Sequence, residues 1–282
     1  FIPYGMTILS YMACLLTMYR IHLPRYMSGI IVATLICMVI CTVINTRWKI
    51  STHMASSTAT GHGRTWAASH SAVAAIAAIL YLIRERAEPL AQLQRLDNGK
   101  PISETRALVA SAAGTFQFFA AACETMEETI TPSRGDFMTM SVYEPMGVVA
   151  AITPWNSPIA SEAQKLAPAL AAGNAVVVKP AEATPLLALE LARICEEAGV
   201  PKGIVSVLPG RGSVIGDAIT KHPLVKRVSF TGGTSTGKHI ARIAADKMMP
   251  VSLELGGKSA TMVLEDADLD HAVNGVLYGI FS

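Results

Sequence analysis

From Pro145 onward the sequence alternates short apolar runs with longer amphipathic stretches, and that rhythm restricts the fold more than any other feature. The runs 148–152, 175–178, 204–208, 225–230 and 261–264 are short and, apart from Lys226 and Arg227, free of charge, as strands covered on both faces tend to be. Helices are expected between them, over roughly 157–172, 184–198, 213–222 and 234–245. In the second of these, Thr184 reads as N-cap, Pro185 as the first helical residue and Gly199 as the residue past the end. Strand and helix in this alternation specify an α/β fold, a Rossmann-like parallel sheet with helices on both faces. Ligands of such sheets bind at the carboxyl ends of the strands.

Ahead of this region, apolar residues at helical spacing (Val73, Ile76, Leu80, Ile83, Ala87) predict a helix. A second runs through Leu90, Leu93 and Leu96 with Pro89 in its first turn, and ends at Asp97, Asn98 and Gly99. A third covers about 102–126 and leads to a β-rich stretch, 136–143.

The first 71 residues are of another kind. All 21 acidic residues lie at or after Glu85, whereas residues 1–84 carry six basic ones. Residues 1–19 and 26–44 are uncharged runs of 19 residues each, just long enough to cross a bilayer as a helical hairpin. The competing reading is a stretch that is not native coding sequence, such as a reading-frame slip produces. On either view 51–71 reads as a linker, which gives two parts: an atypical segment 1–71 and an organised domain 72–282. The overall charge of +2 identifies no partner, and no nucleic-acid-binding patch is expected. None of the five cysteines is spaced as a metal ligand or CxxC pair, so no metal site is expected.

Four short stretches carry candidate chemistry. Phe230, Gly232 and Gly233 belong to a Gly-rich turn between a strand and a helix, where backbone N–H groups can approach a phosphate, although a plain tight turn reads equally well. Lys179 and Glu182 follow another strand, as a ribose-facing pair or as a solvated loop. Asn156, after Trp155 in TPWN, can donate to an oxyanion or simply form a turn beside proline. Glu254, inside an apolar stretch, is expected to be buried with a raised pKa, as suits a general base; a glutamate satisfied by backbone donors at the Gly256–Gly257 turn is the alternative.

Taken together, EPMGVVAAITPWNSP, VVVKPAEATP, VSFTGGTSTG and LELGGKSA, with LDNGKP upstream, closely resemble the NAD(P)-dependent aldehyde dehydrogenase superfamily over about 79–282. The resemblance implies oxidation of an aldehyde to a carboxylic acid through a cysteine thiolate, with hydride passing to NAD(P)+ and water cleaving the thioester. It makes Glu254 the base that activates water and Asn156 the oxyanion donor. It gives Lys179 and Glu182 to the adenosine ribose, and Ile152 and Trp155 to the wall of the cofactor cleft. Gly212, Gly216, Phe230, Gly232 and Gly233 fall to the pyrophosphate and nicotinamide side, Leu255 and Gly256 to the backbone near the nicotinamide. NAD is the expected cofactor, NADP less so because Glu182 is acidic. Gly233 stands where many members have serine.

The resemblance further implies that 136–143 begins an oligomerisation hairpin, that the protein is homo-oligomeric, and that it is cytoplasmic unless 1–44 anchors it to a membrane. The cysteine-bearing segment of the family is expected just beyond residue 282, so this chain reads as a fragment that is inactive by itself. The rival reading is a membrane-tethered, non-catalytic nucleotide-binding module.

Overall fold

The structure is a computed structural model that describes residues 70–281, apart from 129, 133–138 and 142. The two apolar runs 1–19 and 26–44, the linker 51–71 up to residue 69, and most of the stretch 136–143 lie outside the described residues. Of that last stretch, Met140 forms an isolated antiparallel bridge with Ile130.

Three helices come first: α1 (His70–Glu85), α2 (Ala87–Asn98) and α3 (Ile102–Thr125). The spacing of Ile76, Ile79, Leu80 and Ile83 turns one face of α1 inward, and all four are buried. α2 stops at Gly99, whose φ of 76° is left-handed and whose N–H donates to the Arg95 carbonyl. α3 is long and apolar enough to cross a membrane, but its Val109, Ala112, Ala113 and Phe116 are buried in the core with α1.

The remainder alternates as its rhythm requires: β1 (Val148–Ile152), α4 (Pro158–Ala171), β2 (Ala175–Lys179), α5 (Leu186–Glu197), β3 (Val205–Val207), α6 (Asp217–Lys221), β4 (Val225–Gly232), α7 (Thr234–Asp246) and β5 (Val251–Leu255), followed by α8 (Leu269–Phe281). The five strands are parallel, in the order β3-β2-β1-β4-β5. Neighbouring residues of β1 feed opposite layers. Ala151 joins the core made with α1–α5, and Ala150 and Ile152 join the core built on Val228, Phe230, Ile219 and Ile240. Helices thus cover both faces.

The structure corrects three details of the strand and helix reading. Residues 261–264 are not a buried strand: Met262 and Leu264 are exposed and unpaired with the sheet, and the fifth strand is β5, ten residues earlier. The sheet selects the segment that can extend beside β4, and the more apolar run pairs with no strand among the described residues. Thr184 does not cap α5. Its hydroxyl donates to the Trp155 carbonyl at 3.5 Å, and the helix N-terminus is instead met by Asp97, whose carboxylate accepts from Leu186 N–H at 3.1 Å. Burial raises the Asp97 pKa, and the N–H groups of Leu186 and Leu187 oppose that shift. Residues 212–216, expected as the start of a helix, form a π-helical turn before α6. Beside it Lys247 stitches the α6–β4 connection, donating to the carbonyls of Thr220, His222 and Val225 at 2.9, 2.8 and 3.2 Å.

Candidate functional site

Strand register sets the site. Ile152 pairs with Lys179 on one side and Phe230 on the other, and Phe230 pairs with Leu253. These four residues form one row near the carboxyl ends of four strands. Asn156, Glu182, Gly232 and Glu254 follow within four residues of that row, Asn156 and Glu182 on the chain leaving β1 and β2, Gly232 and Glu254 in the last residues of β4 and β5. The chain reverses its direction of sheet building between β1 and β4, and a crevice at that switch point is where a doubly wound sheet binds its ligand.

A cleft of about 1260 Å³ opens there, larger than a pocket for an ordinary small ligand. Ile152, Trp155, Asn156, Lys179, Glu182, Gly212, Gly216, Phe230, Gly232, Gly233, Glu254, Leu255 and Gly256 all line it, so the structure brings every residue singled out from the sequence to one cavity. Its walls are apolar where Ile152, Phe230 and Leu255 contribute, and polar at Lys179, Glu182 and Asn156.

At one end the N-terminus of α7 faces the cleft through Gly233, Ser235 and Thr236. Gly233 is the N-cap, and no side chain caps the helix there. The first N–H groups of a helix lack intrahelical partners and carry the positive end of its dipole, so this terminus is suited to an anion. A Cβ at Gly237, one turn in, would meet the end of the Leu255 side chain, which would have to turn aside.

Lys179 is buried and donates to the Pro180 carbonyl at 2.8 Å. Burial lowers its pKa, opposed by the Glu182 carboxylate. Glu182 accepts from Gly212 N–H at 2.6 Å through Oε1, which bridges the chain after β2 to the turn after β3. Glu254 differs from expectation: it is exposed. It sits one residue from the end of the edge strand, where the chain after Leu255 runs on without described cover.

Two groups escaped the sequence reading. Lys165 of α4 donates to Ser229 Oγ at 3.1 Å; burial lowers its pKa and the nearby Glu254 opposes that. A lone lysine inside an amphipathic helix gives no signal without the fold. The other group is Asp217 with His239, both in the cleft wall, joined at 2.7 Å. Hydrogen bonds from Lys221 first and His239 second lower the Asp217 pKa.

The two described cysteines lie away from the cleft. Cys195 is packed inside α5 with its pKa pushed up to about 12 by burial. Cys123 of α3 points its thiol at the Ala171 carbonyl, 3.7 Å away, and burial raises its pKa too.

The sequence model of the aldehyde dehydrogenase family matches residues 39–282. The chain belongs to the aldehyde dehydrogenase family. That match begins some forty residues before residue 79, where the resemblance read from the sequence starts. Solved structures agree with it. An aldehyde dehydrogenase from Bacillus cereus in complex with NAD+ is 39% identical, with a TM-score of 0.72 over 79% of this chain and 48% of that one. A betaine aldehyde dehydrogenase from Staphylococcus aureus, also in complex with NAD+, is 37% identical with a TM-score of 0.73 over 79% and 47% of the two chains. PnpE in complex with nicotinamide adenine dinucleotide is 38% identical with a TM-score of 0.75 over 80% and 47%. This chain therefore spans about half the length of the aldehyde dehydrogenases it matches.

Proposed function

We propose that residues 72–282 form the NAD+-binding part of an enzyme that oxidises an aldehyde to a carboxylic acid. The observation that carries this reading is the convergence of thirteen residues on a switch-point cleft that ends at an uncapped helix N-terminus. Relatives with the same fold are complexes with NAD+. The donor set fits a dinucleotide: N–H groups of α7 for the pyrophosphate, Glu182 and Lys179 for ribose hydroxyls, and Ile152 and Phe230 as apolar wall. When bound, NAD+ supplies the hydride acceptor. The side-chain amide of Asn156 donates to the carbonyl oxygen as negative charge grows on it. Glu254, open at the strand end, takes a proton from the water that cleaves the thioester. A homo-oligomer in the cytoplasm belongs to the same reading.

Cofactor choice provides its test. Glu182 keeps one oxygen on Gly212 N–H and presents the other to a ribose, so a 2′-phosphate meets a carboxylate there. Calorimetric titration of the chain is expected to give NAD+ binding at least about tenfold tighter than NADP+, a difference of about 1.4 kcal/mol. In Glu182→Gln the amide oxygen still accepts from Gly212 while the charge is gone, and the preference should shrink. Tighter binding of NADP+ than NAD+ by the unchanged chain counts against the assignment of Glu182.

The covalent step is the second half of the proposal. Neither described cysteine is expected to serve as the nucleophile of that step, because both lie away from the cleft. A thiol with a pKa of about 12 has only about one thiolate in ten thousand at pH 8. Cys195 should accordingly resist iodoacetamide in the native chain and react on denaturation. Turnover that vanishes on replacing Cys195 or Cys123 with serine would refute this.

A further inference from the structure

We propose that Asn98 is a positioning residue for the cleft, holding the Trp155–Asn156 loop through its side-chain amide. This rests on the reading of that loop as part of the cofactor and oxyanion site. Asn98 ends α2, 57 residues away from Trp155 in sequence. Its Nδ2 donates to the Asn156 carbonyl at 3.2 Å and to the Trp155 carbonyl at 3.5 Å. Its Oδ1 accepts from Lys100 N–H at 3.1 Å. The two constraints fix which way the amide faces, since a flipped amide would set oxygen against two carbonyl oxygens and N–H against N–H.

The loop needs such a tether. Thr153 N–H is tied to the Lys179 carbonyl at 3.1 Å, and the first helical bond beyond is Ser161 N–H to the Ser157 carbonyl at 2.9 Å. The carbonyls of Trp155 and Asn156 lie between these points and are met by side chains, Asn98 for both and Thr184 for Trp155. Trp155 and Asn156 are exposed to the cleft, so little else holds them. Asp97, the residue before, grips the N-terminus of α5. The last two residues of α2 therefore clasp the loop after β1 and the helix after β2, and Asn98 sets where the Asn156 amide stands relative to Glu254 and the cleft.

The chain has five asparagines, so asparagine-selective 15N labelling of the full chain gives a simple spectrum. Asn98→Asp keeps an acceptor for Lys100 N–H and removes the donor; Asn98→Ala removes both. Without NAD+, both variants should broaden or multiply the Asn156 backbone and side-chain signals. Asn174, which bonds Gly147 N–H and the Ala169 carbonyl, should keep its signal and report an intact fold. NAD+ affinity should fall roughly three- to tenfold, the size of one or two net hydrogen bonds. Unchanged Asn156 signals in Asn98→Asp overturn the proposal, as does an unchanged NAD+ affinity or a matching shift of Asn174. Failure of the unmodified chain to bind NAD+ would instead refute the cofactor reading, and the Asn156 signals of the NAD+-free chain still decide the clasp.

Discussion

Gly233→Asp is expected to abolish NAD+ binding at ordinary concentrations while leaving the fold at least as stable as before. Gly233 has φ −66° and ψ 143°, which any residue adopts, and a Cβ there meets nothing within 4 Å. Aspartate is a favoured N-cap, and its carboxylate complements the helix dipole, for a gain of about 0.5–1 kcal/mol. That same carboxylate fills the anion position at the head of α7. A unit charge 4 Å from another near a protein surface is worth about 4 kcal/mol at an effective dielectric of 20, so even partial repulsion of a pyrophosphate exceeds a 100-fold loss, about 2.7 kcal/mol. Gly233→Ser offers the cap without the charge and should bind NAD+ within a few-fold of the unmodified chain. Melting curves and calorimetry on the three proteins separate the effects. Normal NAD+ binding by Gly233→Asp would mean the pyrophosphate is held elsewhere.

Glu162→Gln is expected to stabilise the fold at neutral pH and to do little in acid. Glu162 lies fully buried in α4, and neither carboxyl oxygen has a hydrogen-bond partner. Burial first, and the field of Asp97 second, raise its pKa well above the usual 4.5. Below that usual value the folded and unfolded chains both hold the proton, and the acid carries no extra electrostatic penalty. As pH rises past it, only the unfolded chain ionises and gains hydration, so stability falls until the pH reaches the raised folded value. Each unit of upward shift removes about 1.4 kcal/mol over that window. Glutamine does not ionise, so its advantage should grow from near zero at pH 4.5 as the pH rises towards 7.5, read as a Tm difference between variant and unmodified chain that widens with pH. An advantage independent of pH, or a loss at both pH values, would show that Glu162 is ionised or partnered in the folded chain.

What the sequence disclosed follows from which interactions are local. β1 has the boundaries its apolar run predicts, and α4 and α7 fall within a residue or two of theirs, because burial on both faces and helical periodicity are written in consecutive residues. β5 carries Ser252 and Glu254 and looks less apolar than 261–264; its place beside β4 is a tertiary choice. The cap of α5 shows the same limit. The local rule points to Thr184, yet Asp97, 89 residues away, fills the role, and no short-range pattern could reveal it. Eleven of the thirteen cleft residues were legible through the wording of the four motifs, none decisive by its residue types alone, whereas Gly212 and Gly216 followed only from the family resemblance. Lys165 was silent because its only mark, nearness to Glu254, exists in three dimensions. Glu254 itself was expected in the interior because its flanks are apolar, whereas an edge strand leaves its last residues open.

The alternation of β1 between two cores has a consequence for synthesis. A chain leaving the ribosome delivers α1 through β3 well before β4, so one side of the sheet can be covered by helices early. The side built from Ala150 and Ile152 waits for β4, α6 and α7, and until they emerge the long flank of β1 is an unpaired edge open to any extended neighbour. The cleft straddles β1 and β4 and takes part of its lining from α7 and β5, so it is completed late, after all of these have emerged. Nascent chains stalled between β3 and β4 are therefore the ones most in need of a chaperone.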